Sequence, residues 1–370
     1  MNQKKKLLFL VEAFDKGGIE KVTLDIVNNL DPEKYDITVQ TFWYGGYCQS
    51  LVKPHIKVIP FFFRRYVRGI IRLIAYLPPK LLYRLFIRGK YDVEIACSDG
   101  GAAKVISGST NPRSRKICWV HMDVVKRGSK LKEFSNPAAA DQIYSRFDLI
   151  VPVSEACRKN FETKFGDRYP MQVVPNPMPV ADILRKSTEF APDFSADKLN
   201  IVCVGRLVEQ KGFDRLIQAA AAAKNNSRRP FHIYIIGDGP ERANLEAAIS
   251  VASLVQEITL LGFRKNPYPY LKHADWFLLA SRDEAFPLVV GESLITGTPV
   301  IATDCSGVRE WLKNDHYGIV LPNSCDGICN GMMKILNDPE VLNIYRSKVS
   351  DALQEISFEK GLQEFEAILR

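Results

Sequence analysis

The sequence has no uninterrupted apolar run of roughly 18 residues or more, so no transmembrane helix is expected. It has no Cys-x-x-Cys pair. Its eight cysteines are scattered, and the nearest two, Cys325 and Cys329, have neither a second pair nor flanking histidines. That argues against a structural zinc site. Cys97 and Cys203 sit inside apolar strand-like stretches, as small buried residues do in a reducing compartment. No Asp-x-Asp occurs, and there is no low-complexity tract or short-period repeat. The amino terminus begins basic, but Glu12 and Asp15 limit its apolar run to Leu7–Val11. A buried first strand is expected there rather than a secretion signal. Acidic residues are missing from Lys53 to Lys90, a stretch with ten Lys or Arg. The whole chain is only +8, so the remainder carries a balance of about −2 and the excess is one patch.

The 370 residues, 46% hydrophobic and 25% charged, are enough for two domains with separate cores. Strand, turn, helix and strand follow one another at Lys6–Glu12, Asp15–Gly18, Glu20–Leu30 and Tyr35–Phe42. Further strands are expected at Val93–Cys97, Lys116–His121 and Leu149–Pro152. The second half repeats the alternation, with strands at Leu199–Val204, Phe231–Ile236, Ile258–Leu261, Trp276–Ala280 and Pro299–Ala302. Helices are expected over Phe213–Lys224 and Glu241–Val251. Such alternation predicts an α/β protein with parallel sheets. Pro175-Asn176-Pro177-Met178-Pro179 cannot be helical and opens a boundary running to about residue 198. In open α/β sheets, ligands bind beyond the carboxyl ends of the strands.

Four stretches offer chemistry. Glu284-Ala-Phe-Pro-Leu-Val-Val-Gly-Glu292 follows an apolar strand and leads into a helix, with Pro287 placed for its first turn and Gly297 for its C-terminal cap. The amides of Phe286, Pro287's neighbours Leu288 and Val289 would then favour a phosphate. On one helix, Glu284 and Glu292 would stand about 12 Å apart, too far for a hydrolase pair. From spacing alone they read equally as solvated helix carboxylates. Gly205-Arg206-Leu-Val-Glu-Gln-Lys211-Gly212 begins at a strand end and offers a planar fork and a compact charge, although alone it reads as a basic loop. Asp15-Lys-Gly17-Gly18 permits close backbone approach, or is an ordinary strand–helix turn. His121 closes a strand; a lone histidine there is more often structural. Gly237-Asp-Gly239 is part of a dinucleotide fingerprint, but Arg242 replaces the third glycine, which argues against a nicotinamide dehydrogenase.

Taken together, Gly17-Gly18-Ile-Glu20, His121, Pro175-Asn-Pro177, Gly205-Arg206 with Lys211-Gly212, Gly237-Asp-Gly-Pro240, Glu284 with Glu292, and Gly297-Thr-Pro-Val-Ile301 resemble glycosyltransferase family 4, and in particular bacterial surface-polysaccharide glycosyltransferases. The resemblance covers nearly the whole chain. It implies the GT-B fold: two Rossmann-like domains whose parallel sheets face an interdomain cleft. Residues 1–178 would form an acceptor-side domain and 179–354 a donor-binding domain, with a C-terminal helix of about 355–370 packing back on the first.

The resemblance also implies roles. Arg206 and Lys211 would hold the donor diphosphate, Glu292 the ribose and Glu284 the transferred sugar. Gly237 and the amides from Phe286 to Val289 would serve the donor. Gly17 and Gly18 would admit it, and His121 would lie beside the sugar. Transfer would be retaining and need no metal or other cofactor, from a UDP-sugar more than a GDP-sugar. The family's Glu-Gly-Phe-Gly stands here as Glu284-Ala-Phe-Pro287, which should keep the geometry. A sugar-nucleotide epimerase of the same fold, and a non-catalytic glycosyltransferase-like subunit, are the alternatives. The first is disfavoured by the stretches from Gly205 and Glu284. The second would be expected to lose Lys211, Arg206 or Glu284.

The basic patch bears on the acceptor. Arg64, Arg65, Arg68 and Arg72 recur at helical spacing among Val67, Ile70, Ile71 and Ile74, and Arg84 and Arg88 repeat the pattern beside Leu81, Leu82, Leu85 and Phe86. Such helices lie on anionic membranes, or pack on a core with a solvated basic face; the absence of acidic residues favours the membrane. No nucleic-acid motif accompanies the patch. A lipid-linked oligosaccharide acceptor is expected, with the protein cytoplasmic and held at the inner face of the membrane.

Overall fold

A computed structural model describes residues 3–15, 17–62, 76–121, 124–125 and 136–370. In chain order its first elements are β1 (Lys5–Val11), α1 (Gly18–Asn29), β2 (Tyr35–Trp43), β3 (Lys57–Phe62), α2 (Pro79–Phe86), β4 (Val93–Ala96), α3 (Gly101–Ser107), β5 (Arg115–Val120), α4 (Pro137–Tyr144), β6 (Leu149–Pro152) and α5 (Glu155–Phe165). There follow α6 (Val180–Lys186), β7 (Leu199–Val204), α7 (Phe213–Asn226), β8 (Phe231–Ile236), α8 (Arg242–Val251), β9 (Ile258–Gly262), α9 (Tyr268–His273), β10 (Trp276–Leu279), α10 (Leu288–Ile295) and β11 (Val300–Thr303). The last are α11 (Val308–Trp311), β12 (Gly318–Leu321), α12 (Cys325–Asn337), α13 (Pro339–Glu355) and α14 (Phe358–Ile368).

The chain divides into two compact units, Met1–Pro177 with Phe358–Arg370, and Met178–Ser357. Each is built on a six-stranded parallel sheet, ordered β3-β2-β1-β4-β5-β6 in the first and β12-β11-β10-β7-β8-β9 in the second. Renumbered within each unit, the two orders are the same: 3-2-1-4-5-6. The reason is visible in the central strands. β1, β4, β7 and β10 are almost unbroken apolar runs, as strands covered by helices on both faces must be. The order of strands reverses between β1 and β4 in one unit and between β7 and β10 in the other, with all strands parallel. Those are the points where such sheets open a crevice.

The first unit is completed from far away in sequence. Phe365 of α14 is fully buried, its ring 6.1 Å from that of Phe9 on β1 and 5.0 Å from that of Trp119 on β5. Lys5 Nζ donates to the Leu369 carbonyl at 2.7 Å and Arg115 Nη1 to that of Arg370 at 3.0 Å.

Elements not expected from the sequence include two strands and a helix. β3 and β12 lie at sheet edges, and β12 opens on Gly318, which interrupts its apolar run. Pro60 sits within β3, and an edge is where a strand tolerates it. α6 occupies part of the polar stretch read as linker. It is held by Asp182, whose carboxylate pairs with Arg185 and Lys186, each at 2.6 Å. Among the described residues, no helix is long and apolar enough to cross a membrane.

Candidate active site

The second unit brings two loops together at its crevice, one after β7 and one after β10. Gly205–Gly212 leaves β7 in a tight path whose last residue has a left-handed backbone (φ +66°). A Cβ on Gly212 would fall 2.1 Å from the Ala280 carbonyl oxygen, so only glycine lets the loops meet. Lys211 extends past Gly205, and its Nζ lies 2.5 Å from Glu284 Oε1. Ser281 Oγ donates to the same oxygen at 2.7 Å. The two charged side chains are only 19% and 12% exposed, so water screens the pair weakly. Arg206 is exposed at the mouth of the loop.

Glu284 does not belong to the helix that holds Glu292. α10 starts at Leu288, and Pro287 is its N-cap, with extended backbone (φ −72°, ψ 101°), rather than a residue of its first turn. Proline pushes the residue before it out of helical conformation, which keeps Phe286 and Glu284 outside. The expected helical separation of the two carboxylates therefore does not apply. Val290 N–H donates to the Pro287 carbonyl at 3.0 Å, which leaves the Leu288 and Val289 amides as the helix-start donors. Phe286 has a packing role: its ring stacks on Trp311 at 4.7 Å. Glu292 is buried inside α10, with Tyr268 Oη 3.4 Å from its Oε1. α10 ends as expected at Gly297 (φ +84°): Gly297 N–H bonds to Leu294 O and Thr298 N–H to Ser293 O.

Gly237 also has a structural reason for being glycine. A Cβ there would lie 1.8 Å from the Gly205 oxygen, so the end of β8 could not pass the end of β7.

In the first unit, Gly17 is the N-cap of α1 and Gly18 its first residue. A Cβ on Gly17 would meet the Glu20 carboxylate at 2.0 Å. Across the crevice, Gly101 N–H, at the start of α3, donates to Glu12 Oε1 at 3.0 Å. His121 follows β5 directly, with its ring 4.3 Å from that of Trp119. Its Nε2 is buried without a partner among the described residues, and burial pushes the imidazole down to about 3. His121 is therefore neutral near pH 7 and suited to hydrogen bonding rather than to carrying charge.

The basic patch is only partly described. Arg64, Arg65, Arg68 and Arg72 lie outside the described residues. Arg84 and Arg88 are exposed. Of the apolar residues beside them, Leu82 and Phe86 are buried in the first unit's core with Tyr83, whereas Leu81 and Leu85 face outward at 41% and 44% exposure. The apolar face of α2 is thus divided between core and surface.

Two family models match successive stretches of the chain. "Glycosyltransferase Family 4" covers residues 16–182, and "Glycosyl transferases group 1" covers 185–351. The chain belongs to the glycosyltransferases of family 4 and group 1. The amylovoran biosynthesis glycosyltransferase AmsD of Erwinia amylovora is 26% identical to it over 327 residues, 84% of this chain and 85% of that one. The N-acetylgalactosamine-N,N'-diacetylbacillosaminyl-diphospho-undecaprenol 4-alpha-N-acetylgalactosaminyltransferase of Campylobacter jejuni is 29% identical over 209 residues, 56% of this chain and 55% of that relative's length. Anabaena HepE, solved with UDP and glucose, superposes with a TM-score of 0.79 at 20% identity, over 99% of each chain. At that identity it shows the fold alone, the two-domain α/β GT-B fold.

Sequence reasoning missed the residues that support this family's loops. Ser281 sits three residues before Glu284, a spacing that could have suggested it. Trp311 and Tyr268 gave no local signal. They reach the site through the order of strands, from 25 residues after Phe286 and 24 before Glu292.

Proposed function

We propose that the protein transfers a sugar from a nucleoside-diphosphate sugar to a glycan acceptor in bacterial polysaccharide biosynthesis. The observation that carries the reading is the Lys211–Glu284 pair at the crevice of the second unit, in a domain of transferase family. A cation, a carboxylate and a helix start presenting the Leu288 and Val289 amides suit a sugar diphosphate: charge for the phosphates, an acceptor for sugar hydroxyls.

The chemistry follows from the charges. As the bond from sugar C1 to phosphate oxygen breaks, negative charge gathers on the leaving diphosphate. Lys211, Arg206 and the amides of Leu288 and Val289 offset it. This supplies the stabilisation without calling on a metal ion. Glu284 accepts hydrogen bonds from the transferred sugar and Glu292 from the ribose. In the first unit, neutral His121 offers a hydrogen-bonding group that suits a sugar hydroxyl. The acceptor oxygen attacks C1 from the face the diphosphate leaves, and its proton passes to the departing phosphate, so the configuration is retained.

A UDP-sugar is favoured as donor; UDP is the nucleotide in the HepE complex. A lipid-linked glycan is favoured as acceptor. The Campylobacter relative is named for an undecaprenol-linked one, and exposed Arg84, Arg88, Leu81 and Leu85 suit the surface of an anionic cytoplasmic membrane leaflet.

The test is nucleotide release from a panel of UDP- and GDP-sugars, with EDTA present, for wild type and Lys211→Ala. One preferred donor, with turnover about 10²–10³-fold lower in the variant, is the expected outcome. Absence of binding to every donor would sink the transferase reading.

A further inference from the structure

The Lys211–Glu284 pair sits on two loops that are 73 residues apart in sequence and that follow the paired strands β7 and β10. Beyond the strands, Arg282 ties the two loops together. Its backbone N–H donates to the Gln210 carbonyl at 2.8 Å, and its own carbonyl accepts from Asn323 Nδ2 at 2.9 Å. Its guanidinium makes a two-pronged bond to Asp214, Nη1 to Oδ1 at 2.7 Å and Nη2 to Oδ2 at 2.6 Å, and Nη1 also donates to the Glu209 carbonyl at 2.7 Å. Gln210 Nε2 returns a bond to the Asp283 carbonyl at 2.8 Å. Arg282 thus holds the residue just before Lys211's turn, the helix just after it, and the chain two residues before Glu284.

We propose that Arg282 and Asp214 are positioning residues of the donor site, a clamp that sets the separation of Lys211 from Glu284 and so the fit of the sugar diphosphate. The inference rests on the transferase reading above. Neither residue touches the Lys211–Glu284 pair, so neither is catalytic. A role in stability alone fits poorly: the side chains are 33% and 48% exposed, and ion pairs that open to water add little to folding. Their geometry is another matter, because a planar fork on a carboxylate fixes both distance and angle. Hydrogen bonding from Arg282 also holds the Asp214 carboxyl below its ordinary range, so the clamp stays charged at neutral pH.

The test compares Arg282→Ala, Arg282→Lys, Asp214→Asn and the Arg282→Ala/Asp214→Asn double variant with wild type. Readouts are UDP and GDP affinity by calorimetry, kcat/KM for nucleotide release from the preferred donor, and melting temperature. Arg185→Ala, which removes an exposed ion pair with Asp182 in α6, is the control. Each clamp variant is expected to lose about 10- to 100-fold in kcat/KM, the scale of an ångström-sized misplacement. Melting should fall by no more than about 2–4 °C. Arg282→Lys, which keeps the charge but not the fork, should behave like Arg282→Ala, and the double variant should lose no more than either single one. The control should match wild type. The proposal is overturned if the clamp variants stay within about twofold of wild type in kcat/KM, or if Arg282→Lys restores it. If wild type itself binds neither nucleotide, the transferase reading fails and the clamp's role fails with it. Binding by wild type with unchanged variants refutes the clamp alone.

Discussion

Phe365→Ala should partly detach the C-terminal helix from the first unit. Phe365 is fully buried, and its ring meets those of Phe9 and Trp119. Burying a phenylalanine is worth about 1.5–3 kcal/mol. Each aromatic pair adds about 0.5–1.5 kcal/mol. The usual cost of Phe→Ala in a core, about 3–5 kcal/mol, falls inside the resulting range. For a unit of this size, 1 kcal/mol moves the melting point by about 2–4 °C, so a fall of roughly 6–20 °C is expected in the first unit's transition. The eleven-residue helix α14 is too short to persist without its packing. Lys360, exposed near its start, then becomes a tryptic site. Scanning calorimetry with timed tryptic digestion reads both effects, with the exposed Gln363→Ala as control. Should Phe365→Ala melt with Gln363→Ala, and Lys360 stay equally protected in both, the helix is not held by this ring.

Two further predictions concern charge. The folded-state pKa of His121 lies near 3, below that of an unfolded histidine, so the unfolded chain takes up a proton first as pH falls. The stability it contributes is complete above about pH 6.5 and declines from there towards pH 3. Urea midpoints measured from pH 7 to 4 should fall less steeply for His121→Gln, and parallel curves would refute the assignment. Binding to vesicles containing anionic lipid should weaken by about 1 kcal/mol per residue in Arg84→Gln/Arg88→Gln, measured by co-sedimentation at low salt. Equal binding by wild type and variant would remove these two arginines from the membrane contact.

The sequence made the sheet centres legible because a strand covered on both faces must be apolar throughout. Leu199–Val204 and Phe231–Ile236 could be delimited to the residue. Gly297 was legible for a related reason: a left-handed cap has one favoured residue. The edge strand β12 was harder to read because it opens on Gly318, which gives no apolar signal. At the site, Lys211 and Glu284 could be named from loop position, but not their pairing, since Arg282 and Asp214 lie 68 residues apart and meet only once β7 and β10 are neighbours. Pro287 was misplaced by one residue. The same proline preference fits a helix start or its cap, and only backbone angles separate them.

The return of α14 to the first sheet has a consequence for how the protein is made. Phe365, Ile368 and Leu369 all enter the first unit's core, yet the ribosome reaches them only after the whole second unit, Met178–Ser357. At about 5–20 residues per second, that delay is about 10 to 40 s. During it, the surfaces of Phe9 and Trp119 that Phe365 will cover are open to water or to a chaperone. The unit begun first is finished last, and the second unit can be complete while its elder neighbour still waits for a helix.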